Sequence, residues 1–178
     1  MDQISNSGPV AATSFDVADW FMERARQEDA HLPPRKLQYL LFLAQAHFAG
    51  AFKLRKLMPS VFILDHSGPI DPNTYRAFEH GRPVTTPTEL PDVAQNFLDA
   101  IWRRYGAFDA SRLNEIIAEQ GEAEPAIQQR GAEIPMEAMA RMFSRDAVRG
   151  VGKPKLMVSQ SGRPVAVEKW QPGRKRAV

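Results

Sequence analysis

The stretch from Pro34 to Gly50 constrains this chain more than any other. At helical spacing Leu37, Leu40, Leu41, Ala44 and Phe48 make one apolar stripe, and Tyr39, Phe42, Leu43 and Ala46 make a second on another side. A helix at a protein surface keeps a polar face, so one that is apolar nearly all round has to be enclosed by other elements. Only Arg35, Lys36, Gln38, Gln45 and His47 interrupt it. Pro34 suits its first turn, where the missing N–H would be unpaired anyway, and Gly50 is expected to stop it. The fold class that follows is mainly α: a compact multi-helix domain around a buried central helix, with a short β element.

A chain of 178 residues has the size of one domain and can bury a substantial core without staples. It has no cysteine, which excludes disulfides, thiolate catalysis and thiolate metal sites, and fits a reducing compartment. The polar, acid-bearing start does not read as a signal peptide, and no apolar run approaches the roughly 20 residues of a membrane span. The expected location is cytoplasmic, with no membrane partner. Charge is uneven: from Arg145 onward nine Lys and Arg face only Asp146 and Glu168, a balance of +7 that leaves −5 for the remainder. Such basic ends meet acidic protein surfaces or nucleic acid.

The pattern of apolar residues and breakers divides the chain into a flexible start (1–13), a helical body (14–150) and a basic C-terminal segment (151–178). Within the body a first helix is predicted over Ser14–Glu28, capped by Ser14, with Val17, Trp20, Phe21 and Ala25 inward. After the central helix, Met58–Leu64 reads as a strand, its clearest part at 60–64, and Asp65–Asp71 as a turn punctuated by Gly68-Pro69. Asp71-Pro72 opens a short helix carrying Tyr75 and Phe78. Asp92–Tyr105 is a long helix with Val93, Phe97, Leu98, Ile101, Trp102 and Tyr105 apolar. Asp109 caps a shorter one ending at Gly121, and Pro135–Arg149 forms the last. Lys155–Ser159 and Pro164–Lys169 suggest a hairpin, followed by a basic tail, Gln171–Val178.

Enzyme chemistry finds no foothold. His31, His47, His66 and His80 lack metal-ligand spacing, and no nucleophile elbow is present. Gly150-Val151-Gly152-Lys153 follows a helix where a phosphate loop would join a strand to one. No enzyme, cofactor or metal site is therefore expected. On the central helix Lys36, Gln38, Gln45 and His47 either line a cleft or hydrogen-bond loop backbone in the core. Gly68–Phe78 reads either as a binding surface or as a tight turn with Tyr75 and Phe78 packed inward, the second being the commoner fate of aromatics three apart.

Four stretches, in order, have family character: Asp16-Val17-Ala18-Asp19-Trp20; Arg35-Lys36-Leu37-Gln38-Tyr39-Leu40-Leu41 leading to Ala44-Gln45; Gly68-Pro69-Ile70-Asp71-Pro72-Asn73-Thr74-Tyr75; and Tyr105-Gly106. Over residues 14–145 the chain resembles the Panacea domain of SocA-like antitoxins. It departs from that pattern at Leu64-Asp65, where the family often has Ala-Trp, and at Leu113–Ile117, where the family usually carries a Thr-His pair and a Trp. The resemblance implies an antitoxin that neutralises a cognate protein toxin and, as a proteolytic adaptor, delivers it to the ClpXP protease. Candidate toxin contacts are Lys36, Gln38, Gln45, His66, Gly68, Pro69, Asp71, Tyr75 and Arg76. Candidate protease-tethering residues are Arg163, Lys169, Arg174, Lys175 and Arg176. The alternative expectation is a transcriptional regulator that holds nucleic acid through the same basic segment, with Trp170 available for stacking.

Overall fold

The computed structural model describes residues 8–84, 86–150, 155–158 and 164–167. Among them lie six α-helices: α1 (Ser14–Gln27), α2 (Pro34–Ala51), α3 (Pro72–Phe78), α4 (Asp92–Tyr105), α5 (Ala110–Gly121) and α6 (Met136–Gly150). Between α2 and α3 runs a small antiparallel pair, β1 (Ile63–Asp65) and β2 (Gly68–Ile70), and a 3-10 turn at Pro125–Ile127 separates α5 from α6. The chain divides into two units between Arg145 and Asp146, ahead of the boundary expected at 150/151. In the second unit β3 (Lys155–Val158) pairs antiparallel with β4 (Pro164–Val167), as the expected hairpin.

α2 is the post around which the first unit is built. Of its 18 residues 13 are buried, and α1, α3, α4, α5 and β2 all pack against it. The largest enclosed side chains include Phe42 and Phe48 from α2 itself, Phe21 from α1, Phe78 from α3 and Leu98 from α4. Each large apolar side chain taken wholly from water is worth roughly 1.5–3 kcal/mol, so this helix is the main source of cohesion. Gly50 does not stop it. The helix runs on to Ala51, and a Cβ on Gly50 would stand 3.2 Å from the Ala140 carbonyl of α6. The glycine is there for close helix approach, not termination.

The cap of α1 also differs from expectation. Thr13, not Ser14, is the N-cap: its hydroxyl accepts from the Asp16 N–H at 3.1 Å while the Asp16 carboxylate accepts from Thr13 N at 2.9 Å. The other Asp16 oxygen accepts from Thr88 N at 2.7 Å, tying α1 to the loop before α4. Residues 10–13 are thus not a loose start. Val10 and Ala11 donate to the Lys56 and Leu57 carbonyls, and Ala11 is buried. Residues 1–7 of the segment expected to be flexible lie outside the described residues. α1 is joined to α4 by Arg24–Asp99 at 2.8 Å and by the Trp102 indole N–H donating to Glu28 at 2.9 Å. On α4, Ala94 packs inward in the place expected for Val93, which is exposed.

The strand predicted over Met58–Leu64 is shorter and later. Its first half is claimed by other partners: Gln45 Oε1 accepts from Leu57 N and Met58 N, both at 3.1 Å, and Gln45 Nε2 donates to Met58 O at 3.3 Å. The Phe62 carbonyl accepts from Ile134 N at 2.8 Å and that of Leu64 from Gly131 N at 2.9 Å. Pairing with β2 begins at Ile63↔Ile70 and continues through Leu64↔Pro69 to Asp65↔Gly68. The Gly68-Pro69 element is therefore a strand, not a turn, and the turn is His66-Ser67.

Gln45→Ala removes the acceptor for two buried backbone N–H groups and the donor to a third group. It is expected to lower unfolding free energy by about 2–4 kcal/mol, measured as a fall in the urea midpoint at unchanged m-value.

Candidate partner-binding surface

Three residues near the start of α2 fix the hairpin and α3 as one body. Arg35 lies over the Tyr75 ring at 4.8 Å, donates to the Tyr75 hydroxyl at 3.3 Å, and pairs with Asp65 at 3.3 Å. Gln38 Oε1 accepts from Asp71 N at 2.9 Å, and its Nε2 donates to Thr74 Oγ1 at 3.2 Å. Tyr39 donates its hydroxyl to the Ser67 carbonyl at the hairpin turn. Positions 35, 38 and 39 share a helix face, which is why one element can grip strand end, turn and following helix together.

Gly68 carries the tightest requirement. Its φ is +113°, a region that L side chains rarely adopt, and an added Cβ would meet Tyr39 Cε1 at 2.8 Å and Asn114 Oδ1 at 2.5 Å. Backbone, Tyr39 and Asn114 of α5 therefore close against one another. Beside this contact a groove of about 290 Å³ opens between the hairpin and α5. Its floor is apolar, with Leu64, Pro69, Ile117 and Ile127, and its rim carries His66, Glu122 and Arg130. That volume suits one or two apolar side chains of a partner more than a whole cofactor.

The expected contact residues separate into two groups. Four are turned inward and serve internal partners. Gln38 and Gln45 are fully buried, their amides bonded to the backbone of Asp71 and of Leu57 and Met58. Lys36, 7% exposed, donates to the Gly106 carbonyl at 2.6 Å and faces the Trp102 ring at 5.9 Å. Burial holds its pKa below the ordinary lysine value, with Asp109 pulling the other way. Asp71 is 1% exposed and caps α3, accepting from Asn73 N at 3.0 Å. Burial pushes its carboxyl up, against hydrogen bonds from Asn73, Thr74 and Ser14. As surface contacts these four are corrected: a polar group on an enclosed helix or at a buried cap is consumed by loop backbone.

Among the rest, Pro69 is buried along the groove, while Gly68 and Tyr75 are half-buried. His66 at the hairpin tip is exposed, 2.8 Å from Asp65 Oδ1, and Arg76 is exposed on α3. Arg163, Lys169, Arg174, Lys175 and Arg176 lie outside the described residues. Arg35, Tyr39, Asp65 and Asn114 also touch this site, although none is among the contacts expected from the sequence. A charged residue opening an otherwise apolar helix was the one available signal, at Arg35.

A larger cleft, about 500 Å³, lies between α1 and the loop before α4. The buried Asp19 pairs there with Arg82 at 2.8 Å, next to Trp20 and Glu23. Hydrogen bonds from Arg26 and Gln27 hold Glu23 down at about 2. Among the described residues no three His, Asp or Glu form a metal site, and no helix is long and apolar enough to cross a membrane. Comparison with models of known protein families, with curated proteins and with solved structures finds no match to this chain.

Burial raises the Asp65 carboxyl, but hydrogen bonds from the His66 backbone and ring and from Arg35 outweigh it, and the net shift is downward. A lowered carboxylate contributes stability above its unfolded value of 3.8 and loses it as pH falls through the folded value. Asp65→Asn is expected to cost about 1 kcal/mol at pH 7. Urea unfolding at descending pH should show the gap to wild type closing below 3.8; a gap independent of pH would contradict the assignment.

Proposed function

We propose that this chain is an antitoxin-type binding protein: it captures a cognate protein toxin and acts as an adaptor that hands the toxin to the ClpXP protease. The resemblance of residues 14–145 to the Panacea domain supplies the class, and the build of the Gly68-Pro69 element is the observation that carries the reading. Arg35, Gln38 and Tyr39 hold that element from below, and Gly68 leaves no room for adjustment. A small apolar groove runs alongside with a charged rim. Rigid presentation lowers the ordering cost of association, which is what a capture surface requires. Function on this reading is non-enzymatic and lies in the cytoplasm.

An adaptor divides its work between a body that grips cargo and a segment that tethers the protease, because tethering raises effective concentration without new cargo contacts. The helical body takes the first role. The basic segment that includes Arg163, Lys169, Arg174, Lys175 and Arg176 takes the second.

The test is co-expression with a small growth-inhibiting protein encoded beside this chain. Growth should be restored by the wild type. Ala118→Arg, at an exposed position on the groove, should keep the wild-type melting temperature but weaken toxin binding roughly 100-fold, equivalent to about 2.7 kcal/mol. Deleting residues 171–178 should leave binding unchanged and slow ClpXP degradation of the toxin. Unaltered binding by Ala118→Arg would show that the groove does not hold the toxin, and undiminished degradation without the tail would rule out the tethering role.

A further inference from the structure

The opposite end of α2 carries an apolar strip that shares no residue with the hairpin groove. Phe52 follows the helix as its cap, donating to Phe48 O at 2.8 Å, and Leu54 N reaches back to the Ala49 carbonyl at 2.9 Å. This long closing bond belongs to a helix end in which the residue after the cap is left-handed, a place usually filled by glycine. Here Lys53 (φ 50°) and Leu54 (φ 66°) occupy successive left-handed positions. Such a conformation is uncommon for any residue with a side chain and a marked outlier for a bulky one. The hydrophobic residue of this motif often packs back onto the helix, yet Leu54 keeps much of its surface in water. It is 45% exposed, next to Phe52 at 40%.

The strip continues onto α4. Phe52 stacks on Phe48 at 4.3 Å between ring centroids, and Phe97 stands edge-on to Phe48 at 5.0 Å and to Phe52 at 6.1 Å. One turn earlier on the same helix, Val93 is 44% exposed. The strained tip stands on a fixed base, since Gln45 holds Leu57 and Met58 while Val10 and Ala11 bond the Lys56 and Leu57 carbonyls. Lys53 and Lys56 are exposed at the loop end, and Asp92 is exposed beside Val93 at the other. Strain retained in an exposed, apolar, firmly supported loop points to a contact made with something else.

We propose that this strip docks an acidic amphipathic helix of a partner protein, its apolar side chains on Phe52, Leu54, Phe97 and Val93 and its carboxylates against Lys53 and Lys56. The charge of the loop selects an acidic occupant, and Phe52 and Phe97 are held against Phe48 in one aromatic cluster. That suits the face of a helix better than insertion into a bilayer. The inference does not depend on the antitoxin reading.

The probe is a fluorescent amphipathic peptide of about four helical turns, with Leu along one face and Glu on its flanks, set against a twin with Lys replacing Glu. Binding to the full chain is followed by anisotropy and by amide shifts. The acidic peptide should bind roughly tenfold tighter than its twin, and its effects should concentrate at Phe52–Lys56 and Phe97. Leu54→Asn, which suits a left-handed position, should weaken that binding about tenfold with the melting temperature held or raised. Lys56→Glu should erase the preference between the peptides. Equal affinity for the two peptides, shifts confined to other surfaces, or a lowered melting temperature for Leu54→Asn would overturn the proposal. So would self-association that Leu54→Asn abolishes, or capture of the chain by phosphatidylserine vesicles through this strip.

Discussion

Two carboxamides inside α2 hold the loops of this fold in place. Gln38 and Gln45 lie fully buried on a helix enclosed by its neighbours. A primary amide carries both donors and an acceptor, so a single side chain can close the open backbone groups of a passing loop. Gln45 does this for Leu57 and Met58, and Gln38 for Asp71 and the Thr74 hydroxyl. Lys36 repeats the arrangement with a cation on the Gly106 carbonyl at the end of α4. Apolar packing alone would seat the helices but leave these connections free to shift, and an unmet buried partner costs about 1–3 kcal/mol.

Both candidate binding surfaces follow from that arrangement. The N-terminal half of α2 fixes the hairpin and α3, which shapes the groove against α5. Its far end, with Gln45 beneath, supports a loop that holds two left-handed side chains in water, at roughly 1–2 kcal/mol each. Well-anchored loops on an enclosed helix are a way to present irregular backbone without loss of order, and recognition surfaces often sit on such loops. The polar residues of α2 thus act on function at a distance, by positioning what partners meet.

The helical framework was legible because its signals are local. The two apolar stripes of α2, Asp71-Pro72 opening α3, and Asp109 with Gly121 around α5 all act within a turn or two of chain. What was not legible depends on partners distant in sequence. Met58–Leu64 has strand composition, but Gln45 and Ile134 take its backbone groups before β2 can. Gly68-Pro69 has turn composition, yet its neighbour across the pair is Leu64. Gly50 has the character of a stop, and only its approach to Ala140 explains it. The same holds for the site: Lys36, Gln38 and Gln45 stand out in the sequence as polar interruptions, but whether they line a cleft or serve the core depends on which loops pass over them.

Native-state hydrogen exchange reads the loop amides that the carboxamides hold, and so measures their grip on the loops. Leu57, Met58 and Asp71 lie outside the helices and strands, yet their N–H groups bond to Gln45 and Gln38. These three amides are expected to exchange only when the whole first unit unfolds, with the same opening free energy and denaturant dependence as Leu41 and Phe42 within α2. Exchange of the three through small, denaturant-independent openings, while α2 stays protected, would contradict it.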